Sequence, residues 1–327
     1  MSRRLPVYVL LDTSESMAGE PMRQVRDGLK VLVTSMTSDP RCLETVHLCV
    51  ITFGAQARTV FPLNPLDTYS QWELPMGTGT SLGGALRLLL HSMKTQLHTT
   101  SVGDVKGDWR PLIFVISDGM ATDSWEAEAR ELRTMTDNGS CITIALACGD
   151  DADSTALHRL TPNVLRSGTD PSALAAFFKW VTASVKTASL GVVPAKGALG
   201  SEPPREIRPD SPTTKALAPC LFLVGRCQRN KLPYVLKHRW NGTTFVGTDA
   251  VALNEIEIGG STRMSVDGGN VASLPCPHCK NPIWAYCSCK RIFCCPSGDG
   301  DFTCPWCQLQ QYFSIPDEGF SLDGSGG

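Results

Sequence analysis

The sequence predicts an α/β fold with a mainly parallel sheet, followed by a small β-rich domain organised by cysteines. Three observations carry this reading. From residue 6 to 190, short apolar runs alternate with segments of helical period, the pattern of a parallel sheet covered by helices on both sides. Residues 191–216 lose all apolar period and contain Pro194, Pro203, Pro204, Pro209 and Pro212, which reads as a partly extended linker. Ten of the 14 cysteines then fall between Cys220 and Cys307.

In order along the chain, residues 7–11 form a first buried strand. Pro21 opens a helix with Val25, Leu29, Leu32, Val33 and Met36 on one face. Residues 46–53 and 58–63 read as strands, the second shorter and more polar. Leu82, Ala85, Leu86, Leu89, Leu90 and Met93 mark a helix over 82–97. The apolar run 112–116 is a strand, 124–137 a helix and 141–147 a strand. Residues 153–160 read as a short helix and 164–166 as a short strand. The last helix, 171–190, places Leu174, Phe177, Phe178, Val181 and Val185 on one face. Beyond the linker, 221–224 and 234–236 read as strands, with Asn241-Gly242 a turn. The expected domains are 1–190, the linker 191–216, a β-rich cysteine domain over 217–313, and a disordered Gly-, Asp- and Ser-rich tail over 314–327.

Composition bounds the function. A length of 327 residues suits about two domains, and a net charge of -2 argues against a broad nucleic-acid footprint or a polybasic membrane anchor. The apolar run after Arg3 and Arg4 ends at Asp12, too short for a signal peptide, and no later run is long enough to span a bilayer. A reduced, cytoplasmic protein is expected. The scattered Cys42, Cys49, Cys141 and Cys148 then read as small buried hydrophobes, and the C-terminal cluster as metal ligands rather than disulfides.

Two constellations carry chemistry. Asp12-Thr13-Ser14-Glu15-Ser16 places three oxygen side chains at alternate positions behind the first strand. Ser and Asp are ordinary helix caps, but a second acid, Asp118, also stands behind a buried strand, and Thr80 lies in the loop Gly77-Thr78-Gly79-Thr80-Ser81 before a helix. Ligands of open α/β sheets bind beyond the carboxyl ends of the strands, and hard cations such as Mg²⁺ take oxygen ligands.

The second constellation is Cys276-x-x-Cys279 with Cys304-x-x-Cys307, separated by 24 residues. Four thiolates suit a closed tetrahedral Zn²⁺ site, although Lys280 and Gln308 stand where glycine often succeeds such turns. Cys287, Cys289, Cys294 and Cys295 supply thiolates for a second zinc. Adjacent strand residues point to opposite faces, which sets Cys294 against Cys295. Cys289 or Cys294 could instead replace a member of the outer pairs. Cys220 and Cys227 read first as small core residues and second as further ligands, and His278 as a loop residue.

Asp12-x-Ser14-x-Ser16 with Thr80 and Asp118 resembles the metal-ion-dependent adhesion site of von Willebrand factor A domains. Thr80 is matched in preference to Thr78, because it directly precedes the Ser-Leu-Gly-Gly-Ala-Leu helix. The resemblance implies a doubly wound six-stranded sheet with one antiparallel edge. It also implies direct ligation of Mg²⁺ (or Mn²⁺ or Ca²⁺) by Ser14, Ser16 and Thr80, with Asp12 and Asp118 acting through water. With the linker and the cysteine-rich segment, nearly the whole chain resembles TerY-like proteins of tellurite-resistance and stress gene clusters. That resemblance implies a signalling adaptor acting with a Ser/Thr protein kinase and a metal-dependent protein phosphatase. An enzyme such as a metal-dependent hydrolase is the weaker alternative. The six histidines are scattered, no nucleophile–base pair is recognisable, and the glycine loop lacks the Lys of a phosphate-binding motif. A zinc ribbon binding nucleic acid through Lys280, Lys290, Arg291, Trp284, Tyr286 and Trp306 is another.

Overall fold

The structure, a computed structural model, describes residues 3–70, 73–98, 107–119, 121–149, 152–168, 170, 172–191, 202–211, 218–259, 263–295, 300–313 and 321–326. The N-terminal part contains β1 (Leu5–Asp12), α1 (Glu20–Thr37), α2 (Pro40–Thr45), β2 (Val46–Phe53), β3 (Ala57–Pro65) and α3 (Leu82–Gln96). It continues through β4 (Leu112–Ser117), α4 (Glu126–Asp137), β5 (Ile142–Cys148), α5 (Thr155–Leu160), β6 (Val164–Ser167) and α6 (Ala173–Ser189). A short strand, β7 (Ile207–Pro209), completes it.

These strands form one sheet in the order β3-β2-β1-β4-β5-β6-β7, parallel from β2 to β6. The side-chain alternation of β1 divides its residues between two cores. Leu5, Val7, Val9 and Leu11 join the cluster under α1 and α6, whereas Tyr8 and Leu10 join the one under α3 and α4. Gly28 lets α6 approach α1, because a Cβ there would lie 2.1 Å from the Phe178 ring. Helix α2 escaped the sequence reading. Asp39 caps it, accepting from the amides of Arg41 and Cys42.

The expected six-stranded sheet has seven strands. Besides the antiparallel edge β3, the segment 207–209 pairs antiparallel with β6. The segment read as linker therefore belongs in part to the sheet. Ile207 is 3% exposed, and Asp210 accepts from Arg166 Nε at 2.6 Å and faces His158 Nε2 at 2.8 Å. Residues 192–201 and 212–216 of the linker lie outside the described residues.

The C-terminal part contains β8 (Cys220–Arg226), β9 (Pro233–Trp240), β10 (Phe245–Ala252), β11 (Arg263–Asp267), β12 (Trp284–Tyr286) and β13 (Ile292–Cys294). A hairpin of β14 (Gly300–Thr303) and β15 (Gln310–Phe313) comes next, then β16 (Ser321–Gly326). The main sheet runs β10-β9-β8-β13-β12, and β16 pairs with both β11 and β8. The tail expected to be disordered is thus a strand over 321–326, anchored by fully buried Leu322. Residues 314–320 and 327 lie outside the described set.

The two parts share a core. Fully buried Val235 belongs to the same cluster as Met17, Ala18, Met22 and Met76, with Phe222, Val224, Val251, Leu253 and Ile256 packed against it. Gly77 pairs as an isolated bridge with Ser14 on one side and Glu257 on the other. Its amide donates to Thr13 O, Thr78 N donates to Glu257 O, and Glu257 N donates to Met76 O, each at 2.9 Å.

Candidate metal centres

Strand order reverses between β1 and β4, so the carboxyl ends of these two strands open a crevice. Asp12 ends β1, and Asp118 comes directly after Ser117 at the end of β4. One Asp12 carboxylate oxygen accepts from the Ser14 amide at 2.9 Å and the other from the Ser117 hydroxyl at 2.5 Å. The Ser14 and Ser16 hydroxyls lie 2.8 Å apart, and Ser16 donates to Asp118 at 2.7 Å. Thr80 reaches the same place. Its hydroxyl and that of Ser16 are 3.9 and 3.8 Å from the point where a Cβ on Gly119 would stand. The structure therefore brings Asp12, Ser14, Ser16, Thr80 and Asp118 to one crevice.

The loop bearing Thr80 is held by residues the sequence reading missed. Thr80 N donates to Thr122 Oγ1, and Thr122 N returns a bond to Thr80 O, each at 2.9 Å. The Asp123 carboxylate accepts from Ser81 Oγ and from the amides of Gly83 and Gly84, closing the first turn of α3. Thr122 and Asp123 carry no periodic signal. Their one clue is a position shortly after a strand-ending acid.

Electrostatically the crevice is short of positive charge at its centre. Burial, and then the neighbouring Asp118 carboxylate, push Asp12 up to about 7, against the hydrogen bonds of Ser117 and Ser14. Asp118 is raised as well, chiefly by burial, with Ser16 and Lys237 opposing. Buried Asp12 and half-buried Asp118, lined by three hydroxyls, form an oxygen donor set that fits a divalent cation. A bound cation would reverse both shifts.

The cysteines assemble differently from the expected pairing. Cys227, Cys276, Cys279 and Cys294 form one group, and Cys287, Cys289, Cys304 and Cys307 the other, all sulfurs within 4.8 Å of one another in each. The pairs Cys276/Cys279 and Cys304/Cys307, expected to share one ion, belong to separate groups. The set Cys287, Cys289, Cys294 and Cys295 is split too. Cys294 ends β13, which pairs with β8 just before Cys227 and so carries it to the first group. Cys295 belongs to neither group, as strand alternation requires. Cys227 is a ligand candidate and not merely a core residue. The S···S separations of 3.5, 3.7 and 3.8 Å match the edge of about 3.8 Å for a tetrahedron with bonds near 2.3 Å.

Each group draws on two chain reversals of one design. The amides of Lys231, Lys280, Lys290 and Gln308 donate to the carbonyls of Cys227, Cys276, Cys287 and Cys304 at 2.8–2.9 Å. These four donor residues are the non-glycine residues with positive φ among the described residues: Lys231, Lys280 and Lys290 at 63° and Gln308 at 62°. The backbone shape that glycine usually supplies is therefore adopted by Lys280 and Gln308 themselves. His278 lies outside both groups; its Nε2 is 2.9 Å from Pro233 O.

The proposed stacking surface is not free. The guanidinium groups of Arg226 and Arg291 lie 4.2 and 4.9 Å from the Trp306 ring centroid, and Trp306 Nε1 donates to Ile292 O. Trp284 and Tyr286 pack against the core of the C-terminal domain.

A doubly wound sheet with oxygen ligands at its switch point defines an A-type domain, and the sequence comparison agrees. The profile of the von Willebrand factor type A domain matches residues 7–179, and the chain belongs to that family. Residues 218–327 match the TerY-C metal binding domain, so the chain joins an A domain to a TerY-C domain. No match is found among curated protein sequences. Among solved structures, the chain is similar to proximal thread matrix protein 1 from the mussel byssus at 20% identity, TM-score 0.42, covering 56% of this chain and 48% of that one. It thus spans about half the length of that protein. A second structure of the byssus protein, described as having a zinc-occupied MIDAS motif, gives 20% identity, TM-score 0.41 and coverages of 56% and 48%. A von Willebrand factor type A protein from Catenulispora acidiphila gives 15% identity, TM-score 0.44 and coverages of 81% and 62%. No helix among the described residues is long and apolar enough to cross a membrane.

Proposed function

We propose that this chain is a non-enzymatic, cytoplasmic adaptor that docks protein partners through a divalent cation held by its A domain. The observation that carries the reading is the meeting of Ser14, Ser16 and Thr80 hydroxyls with Asp12 and Asp118 in one crevice. Mg²⁺ is the preferred ion, with Mn²⁺ or Ca²⁺ as substitutes. Ser14, Ser16 and Thr80 would ligate it directly, and Asp12 and Asp118 would hold its waters. Few charged direct ligands leave the cation electrophilic, which suits an acidic group from a partner. The all-thiolate groups favour Zn²⁺ and leave no position for water or substrate, which supports a structural role for both. The partners proposed are a Ser/Thr protein kinase and a metal-dependent protein phosphatase, with a role in tellurite resistance or stress signalling.

The test is a pull-down from the source cell with Mg²⁺ and with EDTA, using the wild-type chain and Asp12→Ala. Capture of a kinase or phosphatase that needs both Mg²⁺ and Asp12 is the expected result. Capture unchanged by chelator and by the substitution would refute cation-mediated docking. Turnover of a phosphoester by pure protein, lost in Asp12→Ala, would replace the adaptor with an enzyme.

A further inference from the structure

The glycine-rich loop before α3 carries two threonines, and the structure gives them different tasks. Thr80 brings its hydroxyl to the cation crevice. The Thr78 hydroxyl is committed to the C-terminal domain. It accepts from Gly259 N at 2.8 Å and donates to Gly259 O at 3.3 Å. Thr78 is buried, so losing this hydroxyl would leave backbone groups short of partners where water does not readily replace it.

The backbone repeats the connection. Ser14, Gly77 and Glu257 stand on three adjacent parallel segments, with Gly77 in the middle. Thr78 N donates to Glu257 O, and Glu257 N to Met76 O. The approach is close enough to need glycine, because a Cβ on Gly259 would lie 2.5 Å from Ala55 Cα. A second grip holds the other metal loop: Lys237, on β9, donates to Ser16 O at 2.5 Å and Ala18 O at 2.7 Å. From within the A domain, Glu15 and Thr122 hold the amides of Gly79 and Thr80. One end of the glycine loop is thus tied to the C-terminal domain, and two residues on, at most about 7 Å of chain, it presents a cation donor.

We infer that Thr78 is a positioning residue that couples the seating of the C-terminal domain to cation affinity in the A domain. The inference rests on the adhesion-site reading above and adds the residue through which the second domain acts on that site. The hydroxyl donors come from two separate loops, one with Ser14 and Ser16 and one with Thr80. A cation needs both loops in place at once. Segment 256–259 holds the glycine loop against the Ser14 loop through Gly77, which lowers the entropy lost when the ion orders the site. By reciprocity, a bound cation holds that segment of the C-terminal domain more firmly, by the same factor.

The test uses the full-length, zinc-loaded protein, with Mn²⁺ as the cation probe read by electron paramagnetic resonance. Thr78→Val, which keeps the shape and removes the hydroxyl, should bind Mn²⁺ at least about five-fold more weakly than wild type. Thr78→Ser, which keeps the hydroxyl, should bind as wild type. The reciprocal measurement needs no variant. Saturating Mn²⁺ should slow hydrogen exchange at the Glu257 and Gly259 amides, which donate to Met76 O and Thr78 Oγ1. The slowing there should exceed that at the Gln308 amide, which lies in the outlying cysteine turn and donates to Cys304 O. Equal Mn²⁺ affinity in wild type and Thr78→Val, or equal loss in Thr78→Ser, overturns the role of the hydroxyl. Exchange at Glu257 and Gly259 that is unchanged, or slowed no more than at Gln308, overturns the coupling while leaving the cation site intact. Absence of Mn²⁺ binding in wild type, or binding that survives Asp12→Ala, overturns the adhesion site itself, and this coupling with it.

Discussion

At the residue scale, metal capture in the TerY-C domain rests on backbone shape as much as on sulfur. Lys231, Lys280, Lys290 and Gln308 occupy the left-handed region, which costs an L-residue about 1–2 kcal/mol. Metal ligation, with apparent energies on the order of 10 kcal/mol, easily outweighs that cost. Replacing Lys280 with Gly should therefore be tolerated, whereas Lys280→Val should destabilise the domain by at least about 1 kcal/mol, because a β-branched side chain fits this region worst. The chelator concentration that strips half the metal provides the measure. Cys227→Ser and Cys294→Ser should each reduce bound zinc from two ions per chain to one, and Cys295→Ser should leave both. Elemental analysis decides; two ions retained in Cys227→Ser would dismiss it as a ligand.

At the scale of elements, the segment after α6 is a clasp. Buried Arg166 on β6 donates to Asp210, to the carbonyls of Gly149 and Ala152, and to Ser154 Oγ. Burial alone would raise the Asp210 carboxyl, but bonds from Arg166, Ser154 and His158 outweigh it and hold the group below its ordinary 3.8. A depressed native pKa contributes stability that is complete above 3.8 and is lost as pH falls through the native value. The β6–β7 pairing should therefore loosen only in strong acid. Asp210→Asn should loosen it at neutral pH, at a cost of about 1–3 kcal/mol. Faster hydrogen exchange at the Asp210 position, whose amide donates to Val164 O, would report the release. An unchanged rate would show that Ile207 burial alone holds β7.

At the scale of the whole molecule, the chain's last strand ties its parts together. Strand β16 pairs with β11 and β8, and Ser325 hydrogen-bonds Glu15 inside the Asp12–Ser16 motif. Truncation before residue 321 should uncover the β8 edge and the pocket of Leu322. Burying a leucine is worth about 1.5–3 kcal/mol, so the melting temperature of the C-terminal domain should fall by several degrees. Hydrogen exchange should also rise around Glu15, in a domain that the truncation does not touch. No change there would show that the A domain's metal loop is independent of the tail.

Strand–helix alternation and the acids placed behind two apolar runs were legible in the sequence. Burial imposes a period on neighbouring residues, and the end of a buried strand marks where polar ligands can stand. Asp12, Ser14, Ser16 and Asp118 stand out that way, whereas Thr80 is marked by its glycine-rich loop before a helix and by the family resemblance. The structure brings the five to one crevice. The cysteine types were equally plain, but their partition was not. Cys227 lies 49 positions before Cys276, and only the pairing of β8 with β13 carries it to Cys294. The seventh strand, the strand over 321–326 and the reach of Lys237 to the Ser16 and Ala18 carbonyls were hidden for the same reason. Each depends on which distant segments pack side by side, and no local spacing records that choice.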